Sequence, residues 1–576
     1  MQLQERIPTA DSELGDDIHP VLRKIYAARG VLKPQELRLD LGELHPPSLL
    51  KNSHSAASLL VDTMRQGKSI LVVGDFDADG ATSCALFMLC LKAFAYDKVN
   101  YLVPNRFEYG YGLTPEIVAV AAQSKPDLIV TVDNGIASNE GVKQTRAAGI
   151  DVLVTDHHLP GKSLPDANCI VNPNLQDCSF PSKALAGVGV VFYLMTALRA
   201  ELRLQHWFEE KGIGEPNLAA FLDLVALGTV ADVVPLDQNN RRLVNHGLGI
   251  IRTGRGRPGI KALLEVAGRN SHTVCASDLA FSAGPRLNAA GRLDDMSLGI
   301  ECLLAEDASR ARQLAIQLDG LNKDRRQIEQ DMQTQALKAL QNVDIAENEQ
   351  LGICLYDPDW HQGVIGILAS RIKEKYNRPC IVFADAGEEE GAALIKGSAR
   401  SIEGLHIRDA LDAVATQNPA LLNRFGGHAM AAGMAIRKED FAAFSQAFEK
   451  VLVRELDSSI LKQLTWFDGE LDSAYLSLEF ARQLRDAGPW GQHFPEPAFK
   501  GNFVVINNRV VGQKHLKLTL QTESADVLVD AIAFNVDAEL LDKKLETISL
   551  VYRLDVNEFR GVSNPQLIVD KVLGYS

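Results

Sequence analysis

The sequence predicts an α/β protein whose first half is built around a parallel sheet and whose C-terminal part is all β. Between His54 and Val171, short and continuously apolar runs alternate with helical patterns, which is typical of βαβ units with right-handed crossovers. From about Asp468 onward, short strands with strict alternation of apolar and polar residues, such as Leu516–Gln521, favour a small barrel.

The first elements are identified by their apolar patterns and their end signals. A helical pattern over His54–Arg65, stopped by Gly67, precedes the apolar run Ser69–Gly74, which is typical of a strand buried on both faces. A helix is predicted over Thr114–Gln123, because threonine is a good N-cap and Pro115 suits the first helical position. The remaining predicted elements are the strand Asp127–Val132, the helix Glu140–Ala148, the strand Asp151–Thr155 and the strand Cys169–Val171.

The second half begins with a long helical pattern over Asp307–Leu340, for which an interruption near Gly320 is considered. Residues 351–455 then repeat the α/β pattern, with a strand over 351–356, a helix over 366–376 and a strand over 380–384. Further strands are predicted at Val504–Ile506, Val527–Val529 and Ile548–Tyr552.

Acidic side chains and imidazoles follow the strands of the predicted parallel sheet. They are Asp75, Asp77 and Asp79 after the first strand, Asp133 after the second, and Asp156, His157 and His158 after the third. Ligands of open α/β sheets bind beyond the carboxyl ends of the strands. We therefore expect these groups to lie together, and the apolar segment 226–236 offers Asp232 as a further member.

Such a cluster has a specific chemical use. Carboxylates that are packed together repel one another unless cations neutralise them. Oxygen ligands with one or two imidazoles suit Mn²⁺ or Mg²⁺. Two such ions about 3.5–4 Å apart can activate water and stabilise the leaving oxygen in phosphoester hydrolysis. The sequence therefore predicts a two-metal hydrolytic site.

Each residue also has a purely structural interpretation. A single aspartate after a strand is usually the N-cap of the next helix, the histidine pair could form a surface turn, and Asp232 could satisfy a buried backbone donor. The acidic run Asp75–Gly80 resembles the start of an EF-hand loop. However, Leu86 stands where the bidentate glutamate is needed, and a strand precedes the run where an EF-hand has a helix. A phosphate-binding P-loop is excluded because no Gly-Lys-Ser/Thr follows.

Composition excludes several classes of protein. With 46% apolar and 23% charged residues, the chain is neither disordered nor fibrous. The net charge of −15 argues against broad wrapping of nucleic acid but permits a local basic groove. Ala184–Leu198 is too short to span a membrane, and no apolar signal core is present. The eight cysteines form no CxxC pair, so we expect reduced thiols in the cytoplasm.

Four motifs resemble, in order, those of the DHH phosphoesterase superfamily. They are GDFDADGATS (Gly74–Ser83), TVDNGI (Thr131–Ile136), TDHH (Thr155–His158) and GTVADVVPL (Gly228–Leu236). Five further segments are similar to the single-strand-specific 5′→3′ DNA exonucleases of this superfamily: Pro104–Leu113, Phe281–Asp295, Trp360–Ile372, Lys396–Ser401 and Phe425–Met434. The resemblance implies an N-terminal segment (1–50), a DHH catalytic domain (51–300), a connecting helix (301–345), an α/β DHH-associated domain (346–460) and an OB-fold barrel (461–576).

The resemblance also implies roles for the acidic cluster. The two divalent ions, Mn²⁺ or Mg²⁺, would be held by Asp77, Asp79, Asp133, His157 and Asp232. Asp133 would bridge the ions, and His158 would face the scissile phosphate. Many smaller members of the superfamily have a histidine where this chain has Val73. Asp75 or water would therefore complete the shell of the first ion.

Phosphate and DNA contacts follow from the same resemblance. The planar fork of arginine binds phosphate bidentately, and the 5′-terminal phosphate would be held by Arg106, Ser398 and Arg400. The cleaved phosphate would be contacted by Arg292 and Arg286, although any one of these arginines could instead form a salt bridge. His428 would lie in a phosphate-contacting loop or a tight turn. Single-stranded DNA would lie along the barrel at Arg509, Lys514, His515 and Lys517, for which a solvated hairpin is the other interpretation.

The function that the resemblance implies is release of nucleoside 5′-monophosphates from the 5′ end of single-stranded DNA, in recombination and repair. The expected protein is a monomer without membrane contact that works with single-strand-binding protein and a helicase. Two other hypotheses remain. DHH phosphodiesterases for short oligonucleotides or cyclic dinucleotides are usually smaller and lack the barrel, and non-catalytic replication scaffolds usually lack the metal carboxylates.

Overall fold

The structure is a computed structural model that describes residues 2–8, 10–105, 109, 112–341, 350–389, 392–422, 424–456, 464–512, 514–524, 527–536, 538–541, 543–559 and 561–576. The chain divides into two compact units. The larger unit contains residues 4–319 and 466–576, and the smaller unit contains residues 320–465 with the first three residues. The predicted fold class, a parallel-sheet α/β domain with a second α/β domain and an all-β barrel, is confirmed.

The parallel sheet of the larger unit contains β2 (Ile70–Gly74), β3 (Val99–Leu102), β4 (Leu128–Val132), β5 (Asp151–Thr155) and β6 (Cys169–Val171), in the order β3-β2-β4-β5-β6. The strand β1 (Gln2–Glu5) precedes it in the chain. Register explains where the site forms, because Gly74 pairs with Val132 and Val132 pairs with Thr155. The next residue of each of these three strands therefore emerges at the same edge of the sheet.

The larger unit also contains many helices. Before the long helix they are α1 (Pro20–Ala27), α2 (Ser53–Arg65), α3 (Ala78–Ala93), α4 (Pro115–Ala121), α5 (Asn139–Ala147), α6 (Gly187–Leu204), α7 (Trp207–Glu210), α8 (Leu222–Ala231), α9 (Gln238–Arg252), α10 (Pro258–Val266), α11 (Ala276–Asp278), α12 (Gly284–Leu293) and α13 (Ser297–Leu304). The predicted cap of α4 is present, since the Thr114 side chain accepts a hydrogen bond from the Ile117 amide. The long helix α14 (Ala308–Gln341) is continuous through Gly320, so the interruption considered there is absent.

The smaller unit contains a mixed sheet of β7 (Ile353–Tyr356), β8 (Cys380–Glu389), β9 (Ala392–Arg400), β10 (Arg424–Gly427) and β11 (Ala431–Arg437), in the order β10-β11-β9-β8-β7. Its helices are α15 (Ile365–Tyr376), α16 (Ile407–Gln417) and α17 (Phe441–Glu455). The strand β12 (Leu464–Phe467) follows in the chain. Apolar residues of the sheet and of α16 and α17, such as Phe383 and Phe444, form one buried core.

The C-terminal part of the larger unit is a closed barrel. It consists of β13 (Phe499–Val511), β14 (His515–Thr522), β15 (Leu528–Ala533), β16 (Thr547–Phe559) and β17 (Val562–Tyr575), with α18 (Leu478–Asp486) before it and α19 (Ala538–Leu541) within it. Leu516, Leu518 and Leu520 alternate along β14 and are fully buried inside the barrel, so the polar residues between them point outward.

The N-terminal segment of the larger unit packs both on helices of the parallel-sheet domain and on the barrel side. Arg242 of α9 donates to the Glu43 carbonyl at 2.6 Å. Arg29, which is buried, donates to Asp468 at 2.8 Å, and Arg6 donates to the same carboxylate at 3.2 Å. Ile25 of α1 belongs to the core that fills the barrel. Residues 4–50 therefore tie the parallel-sheet domain to the barrel.

Among the described residues, no helix is both long and apolar enough to cross a membrane.

Candidate metal centre

The residues that follow β2, β4 and β5 form a compact acidic cluster with Asp232. Ligand atoms in each of three groups lie within 4.8 Å of one another. The groups are Asp75, Asp77 and Asp133; Asp79, His157 and Asp232; and Asp133, His157 and His158. Because two of the groups share Asp133 and two share His157, the structure places all of these predicted ligands in one continuous site.

The local backbone geometry determines the positions of the Asp77 and Asp133 side chains. Asp77 is the N-cap of α3, and its Oδ1 accepts hydrogen bonds from the amides of Asp79 at 2.9 Å and Gly80 at 3.0 Å. The N-cap interpretation therefore holds for Asp77, and its role as a metal ligand stays a prediction. Asp133 has a φ of +63°, in the left-handed region, and its amide donates to the Thr155 carbonyl. Non-glycine residues held in this region cluster at functional sites.

Asp79 is held by the first turn of α6. Its carboxylate accepts hydrogen bonds from the Gly187 amide at 2.6 Å and the Val188 amide at 2.9 Å, where the positive end of the helix dipole favours a negative charge. Burial and the neighbouring charge of Asp77 nevertheless raise the pKa of Asp79 to about 7. The two amides and the helix dipole thus offset only part of the effect of burial and of Asp77, and the raised pKa favours the protonated form of Asp79.

His157 joins the groups of the cluster. Its Nε2 lies 3.1 Å from Asp133 Oδ1, 3.5 Å from Asp232 Oδ2 and 4.0 Å from Asp79 Oδ2. Asp232 arrives at this point from the carboxyl end of a helix, as the C-cap of α8. The remaining predicted ligand, Asp75, is buried and accepts a hydrogen bond from the Phe76 amide.

The electrostatics of the cluster fit divalent cations. Burial, followed by the charges of Asp79 and Asp77, raises the pKa of Asp133 and of Asp232 well above its ordinary value. Buried carboxylates of this kind are stable either protonated or beside a cation. A set of oxygen ligands with an imidazole matches the preferences of Mn²⁺ and Mg²⁺.

A pH dependence follows for the metal-free protein. Because the pKa of Asp79 is raised to about 7, the folded state binds more protons than the unfolded state between about pH 4 and pH 7. Stability of the EDTA-treated protein should therefore fall as the pH rises through this window, and Mn²⁺ should remove most of that decline. The Tm measured at each pH with and without Mn²⁺ checks this, and identical slopes would contradict it.

His158 is a cation oriented by Asp156. Its Nδ1 lies 2.7 Å from Asp156 Oδ1. Burial acts to lower the pKa of His158, but the hydrogen bond and the charge of Asp156 raise it to about 9. In the same pair, burial acts to raise the pKa of Asp156, but the bond with His158 leaves it lowered. The pair with Asp156 therefore favours the protonated form of His158 near neutral pH, and the contact of His158 with the scissile phosphate stays a prediction.

The helix α12 packs directly on the loop that carries Asp75, Asp77 and Asp79. Asn288 Oδ1 accepts a hydrogen bond from the Ala78 amide at 2.7 Å. A Cβ at Gly291 would lie 1.7 Å from the Phe76 carbonyl oxygen, so only glycine permits this approach. Arg292 is the next residue, in the last turn of the helix, and it thus lies beside the metal loop.

Arg286 has a different environment. It is buried, and its guanidinium donates to Asp319 at 2.8–3.0 Å and to the Ser282 carbonyl at 2.7 Å. These bonds agree with the interpretation of Arg286 as a salt-bridge residue. The contact of Arg286 with the cleaved phosphate stays a prediction. Arg106 lies outside the described residues.

The predicted phosphate residues of the smaller unit lie together. Arg400 donates to Ser398 Oγ at 3.1 Å and to the Ala399 carbonyl at 2.8 Å. Arg400 pairs with Ala431 in the sheet, and the His428 amide donates to the Ala431 carbonyl. The turn that contains the exposed His428 therefore lies beside the end of β9.

The basic residues of the barrel lie on the β13–β14 hairpin. Arg509 and Lys517 are cross-strand partners. Arg509 and Lys514 are exposed, whereas Lys517 forms an ion pair with Asp530 at 2.9 Å. The His515 ring contacts Phe534 edge-on, with a centroid distance of 5.2 Å. The cations of the hairpin thus lie near Phe534, an exposed aromatic residue that follows β15, and their contact with single-stranded DNA stays a prediction.

Three contributions were missed from the sequence. They are the Gly187 and Val188 amides, the Asp156 partner of His158, and Asn288. The sequence contains a signal for the Asp156–His158 contact. An aspartate two residues before a histidine can accept a hydrogen bond from the histidine ring. Nothing in the sequence near Asp79 points to α6 or to Asn288.

A parallel sheet with this acidic edge defines a DHH phosphoesterase, and residues 69–229 match the DHH family N-terminal domain. Residues 349–454 match the DHHA1 domain, and residues 467–571 match the RecJ OB domain. The single-stranded-DNA-specific exonuclease RecJ of Dickeya dadantii is 54% identical over 99% of this chain and 98% of its own. The Escherichia coli protein of the same name is 51% identical over 99% of both chains.

Solved structures agree with these relatives. The crystal structure of RecJ in complex with Mn²⁺ from Thermus thermophilus has a TM-score of 0.79 and 30% identity, over 100% of this chain and 80% of that one. The corresponding Mg²⁺ complex has a TM-score of 0.73 and 28% identity, over 99% of this chain and 78% of that one. The chain therefore belongs to the RecJ family.

Proposed function

We propose that this chain is a metal-dependent exonuclease that removes nucleoside 5′-monophosphates from the 5′ end of single-stranded DNA. The observation that carries the proposal is the continuous cluster of carboxylates and imidazoles around Asp133 and His157. Family membership supplies the substrate, since the curated relatives are named single-stranded-DNA-specific exonucleases. The direction of digestion, and its place in recombination and repair, are our proposals.

The residues that would hold two divalent ions are Asp75, Asp77, Asp79, Asp133, His157 and Asp232. When bound, such ions supply Lewis-acid stabilisation of phosphoryl oxygens and activation of water. His158, kept protonated by Asp156, would donate a hydrogen bond to the scissile phosphate. Arg292 would bring a fixed positive charge to the same phosphate, where negative charge develops as the bond breaks.

Digestion of end-labelled DNA with Mn²⁺ or Mg²⁺ tests this proposal. A 5′ label should be released at once as a mononucleotide, whereas a 3′ label should remain on a shortening strand, and duplex DNA should resist. Treatment with EDTA should stop both reactions. Initial release of the 3′ label would contradict the direction. Faster hydrolysis of a cyclic dinucleotide than of a long strand would instead favour the phosphodiesterase hypothesis, and no hydrolysis would favour the scaffold.

The 5′-terminal phosphate is proposed to bind Arg400 and Ser398. Two hydrogen bonds already hold the guanidinium in place, so little side-chain entropy is lost on binding. Arg400→Ala should reduce the preference for a phosphorylated over an unphosphorylated 5′ end by roughly tenfold to a hundredfold, as expected for hydrogen bonds to a charged group. The measurement is the ratio of kcat/KM for the two substrates.

The matched control is Arg437→Ala, because Arg437 ends the neighbouring strand β11 and is exposed near Glu439. This variant should keep the wild-type ratio, and both variants should bind Mn²⁺ normally. An unchanged ratio in Arg400→Ala would remove the pocket from the proposal.

Further proposals concern the setting of the enzyme. Single-strand-binding protein and a helicase are proposed as partners, and the cytoplasm as its location. The location is supported by the cysteines, all eight of which are free thiols. A pull-down with the purified chain tests the two partners.

A further inference from the structure

A cavity of about 440 Å³ lies within the larger unit, between the parallel-sheet domain and the barrel. One wall is formed by residues 230–236, α9 and residues 275–281. The opposite wall is formed by the connector at residues 488–496 and by Arg553, Leu554 and Asp555 of β16. The Leu236 amide donates to the Gln492 carbonyl at 2.8 Å, so the two walls are joined at one end.

Val233 lies at this cavity and directly follows Asp232. It is a β-branched residue with a φ of +61°, and the residue is 55% exposed. A β-branched residue is strained in this region, and such strain persists where the surroundings impose it for a function. Burial of Val233 would not explain the strain, because more than half of the residue is exposed.

Phe281 lines the same cavity and is 72% exposed. It lies in a π-helical turn, Leu279–Ala283, that leads directly into α12. Single π-helical turns occur frequently at functional sites. Phe281 and Val233 therefore both present exposed apolar surface to this cavity, and exposed apolar surface in a concave site is typical of ligand binding.

The charged side chains of the barrel wall are satisfied by one another. Arg485 donates to Asp555 at 3.0 Å, and Arg553 donates to Glu496 at 2.6 Å. Trp490 donates its ring N–H to the Leu484 carbonyl and stacks on Phe494. Arg252 and Asp486 also line the cavity, and Arg252 donates to the Val274 carbonyl. Because these arginines have partners within the protein, the exposed apolar residues Phe281 and Val233 favour an uncharged planar group over an anion.

We infer that this cavity binds a base of the single-stranded DNA substrate, with Phe281 and Val233 as the contacting residues. The inference rests on the proposed function. Val233 directly follows Asp232 in the chain, and β16 of the barrel forms the opposite wall of the cavity, so a strand that contacts both the proposed metal site and the barrel can place a base here. Stacking on an aromatic ring accepts every base, as an exonuclease without sequence preference requires.

Two variants and a set of modified strands test the inference. Each modified strand carries one abasic nucleotide at a different distance from its 5′ end. For wild-type protein, the KM should rise about tenfold when the abasic nucleotide occupies one particular position, and should change little when it occupies any other. Phe281→Ala should raise the KM for an intact strand about tenfold and abolish the position-specific effect. Phe281→Trp should restore both, because indole also stacks on bases.

Leu204→Ala is the matched control, since Leu204 is 74% exposed at the end of α6 and does not line the cavity. It should behave as wild type. An unchanged KM and an unchanged abasic profile in Phe281→Ala would overturn the base-binding cavity and would favour a protein segment as its occupant. That result would leave the nuclease proposal intact, whereas a wild-type chain that digests no single strand would overturn the nuclease proposal itself.

Discussion

Asp133→Asn should lower Mn²⁺-dependent digestion of single-stranded DNA by about a thousandfold or more. Asp133 is the carboxylate shared by two of the three ligand groups, so the substitution removes one charge from each of them while it keeps the side-chain volume. Metal ions at a hydrolytic site supply several kcal/mol of transition-state stabilisation, and each 1.36 kcal/mol is a factor of about ten in rate. The rate of mononucleotide release from a 5′-labelled strand measures the effect.

Two further measurements separate loss of metal from loss of fold. Titration with Mn²⁺ should show weaker binding and fewer ions per chain. The metal-free variant should have a Tm at least as high as that of metal-free wild type, because one source of repulsion between buried carboxylates has been removed. A merely destabilised protein would show a lower Tm.

Asp151→Asn is the matched control for this experiment. Asp151 is the first residue of β5, so it lies at the amino end of the strand, away from the acidic cluster at the carboxyl ends. Its carboxylate accepts a hydrogen bond from the Asn168 side chain. The same chemical change at this edge should leave digestion and Mn²⁺ binding near wild type. Full activity in Asp133→Asn would mean that the acidic cluster is not the site of hydrolysis.

The sequence was sufficient to predict the part of this site that depends on strand register. The residues after β2, β4 and β5 meet because parallel neighbours end together, and apolar runs with acidic ends are visible in the sequence. The apolar segment 226–236 offered Asp232 as a further acidic candidate, but only the motif resemblance gave it a role as a ligand, because it comes from the end of a helix that no sheet pattern predicts. Arg292 was likewise assigned only through the resemblance, and the packing of α12 on the loop that carries Asp75, Asp77 and Asp79 could not be predicted from the sequence.

Other features depend on contacts between residues that are distant in the chain. Arg286 carries no sign of its partner in its own segment, since Asp319 lies on the next long helix. The strain at Val233 and the exposure of Phe281 are properties of the folded backbone. Periodicity indicates which faces are buried, but it contains no information on such pairings. The same limit hides the role of Gly187.

Gly187→Ala should reduce kcat/KM by about a hundredfold although no ligand is changed. A Cβ at Gly187 would lie 2.6 Å from the Asp133 Cβ and 2.7 Å from its Oδ1, closer than atoms can approach. Either Asp133 or the first turn of α6 must therefore move, and the amide of Gly187 that holds Asp79 moves with that turn. A displacement of about 1 Å at a reacting centre can cost a factor of about a hundred. The measurement is kcat/KM for a 5′-labelled strand, together with the affinity for Mn²⁺.

Gly189→Ala controls for the general effect of alanine in this helix. A Cβ at Gly189 would lie 3.1 Å from Leu185 Cδ2, the end of a flexible side chain that can move aside. This variant should keep activity within a few-fold of wild type. Equal losses in both variants would indicate damage to α6 as a whole, and no loss in Gly187→Ala would mean that the Asp133 carboxylate tolerates displacement.

The combination of Gly187→Ala with Asp133→Asn makes the cause specific. If the added methyl acts by displacing the Asp133 carboxylate, it should reduce activity little further once Asp133→Asn has replaced that carboxylate by an amide. The losses of activity in the two single variants should then be far from additive. Additive losses in the double variant would instead show that Gly187 acts through Asp79 alone, because that contact does not involve Asp133. The experiment thus decides which of the two carboxylates makes glycine necessary at the first position of α6.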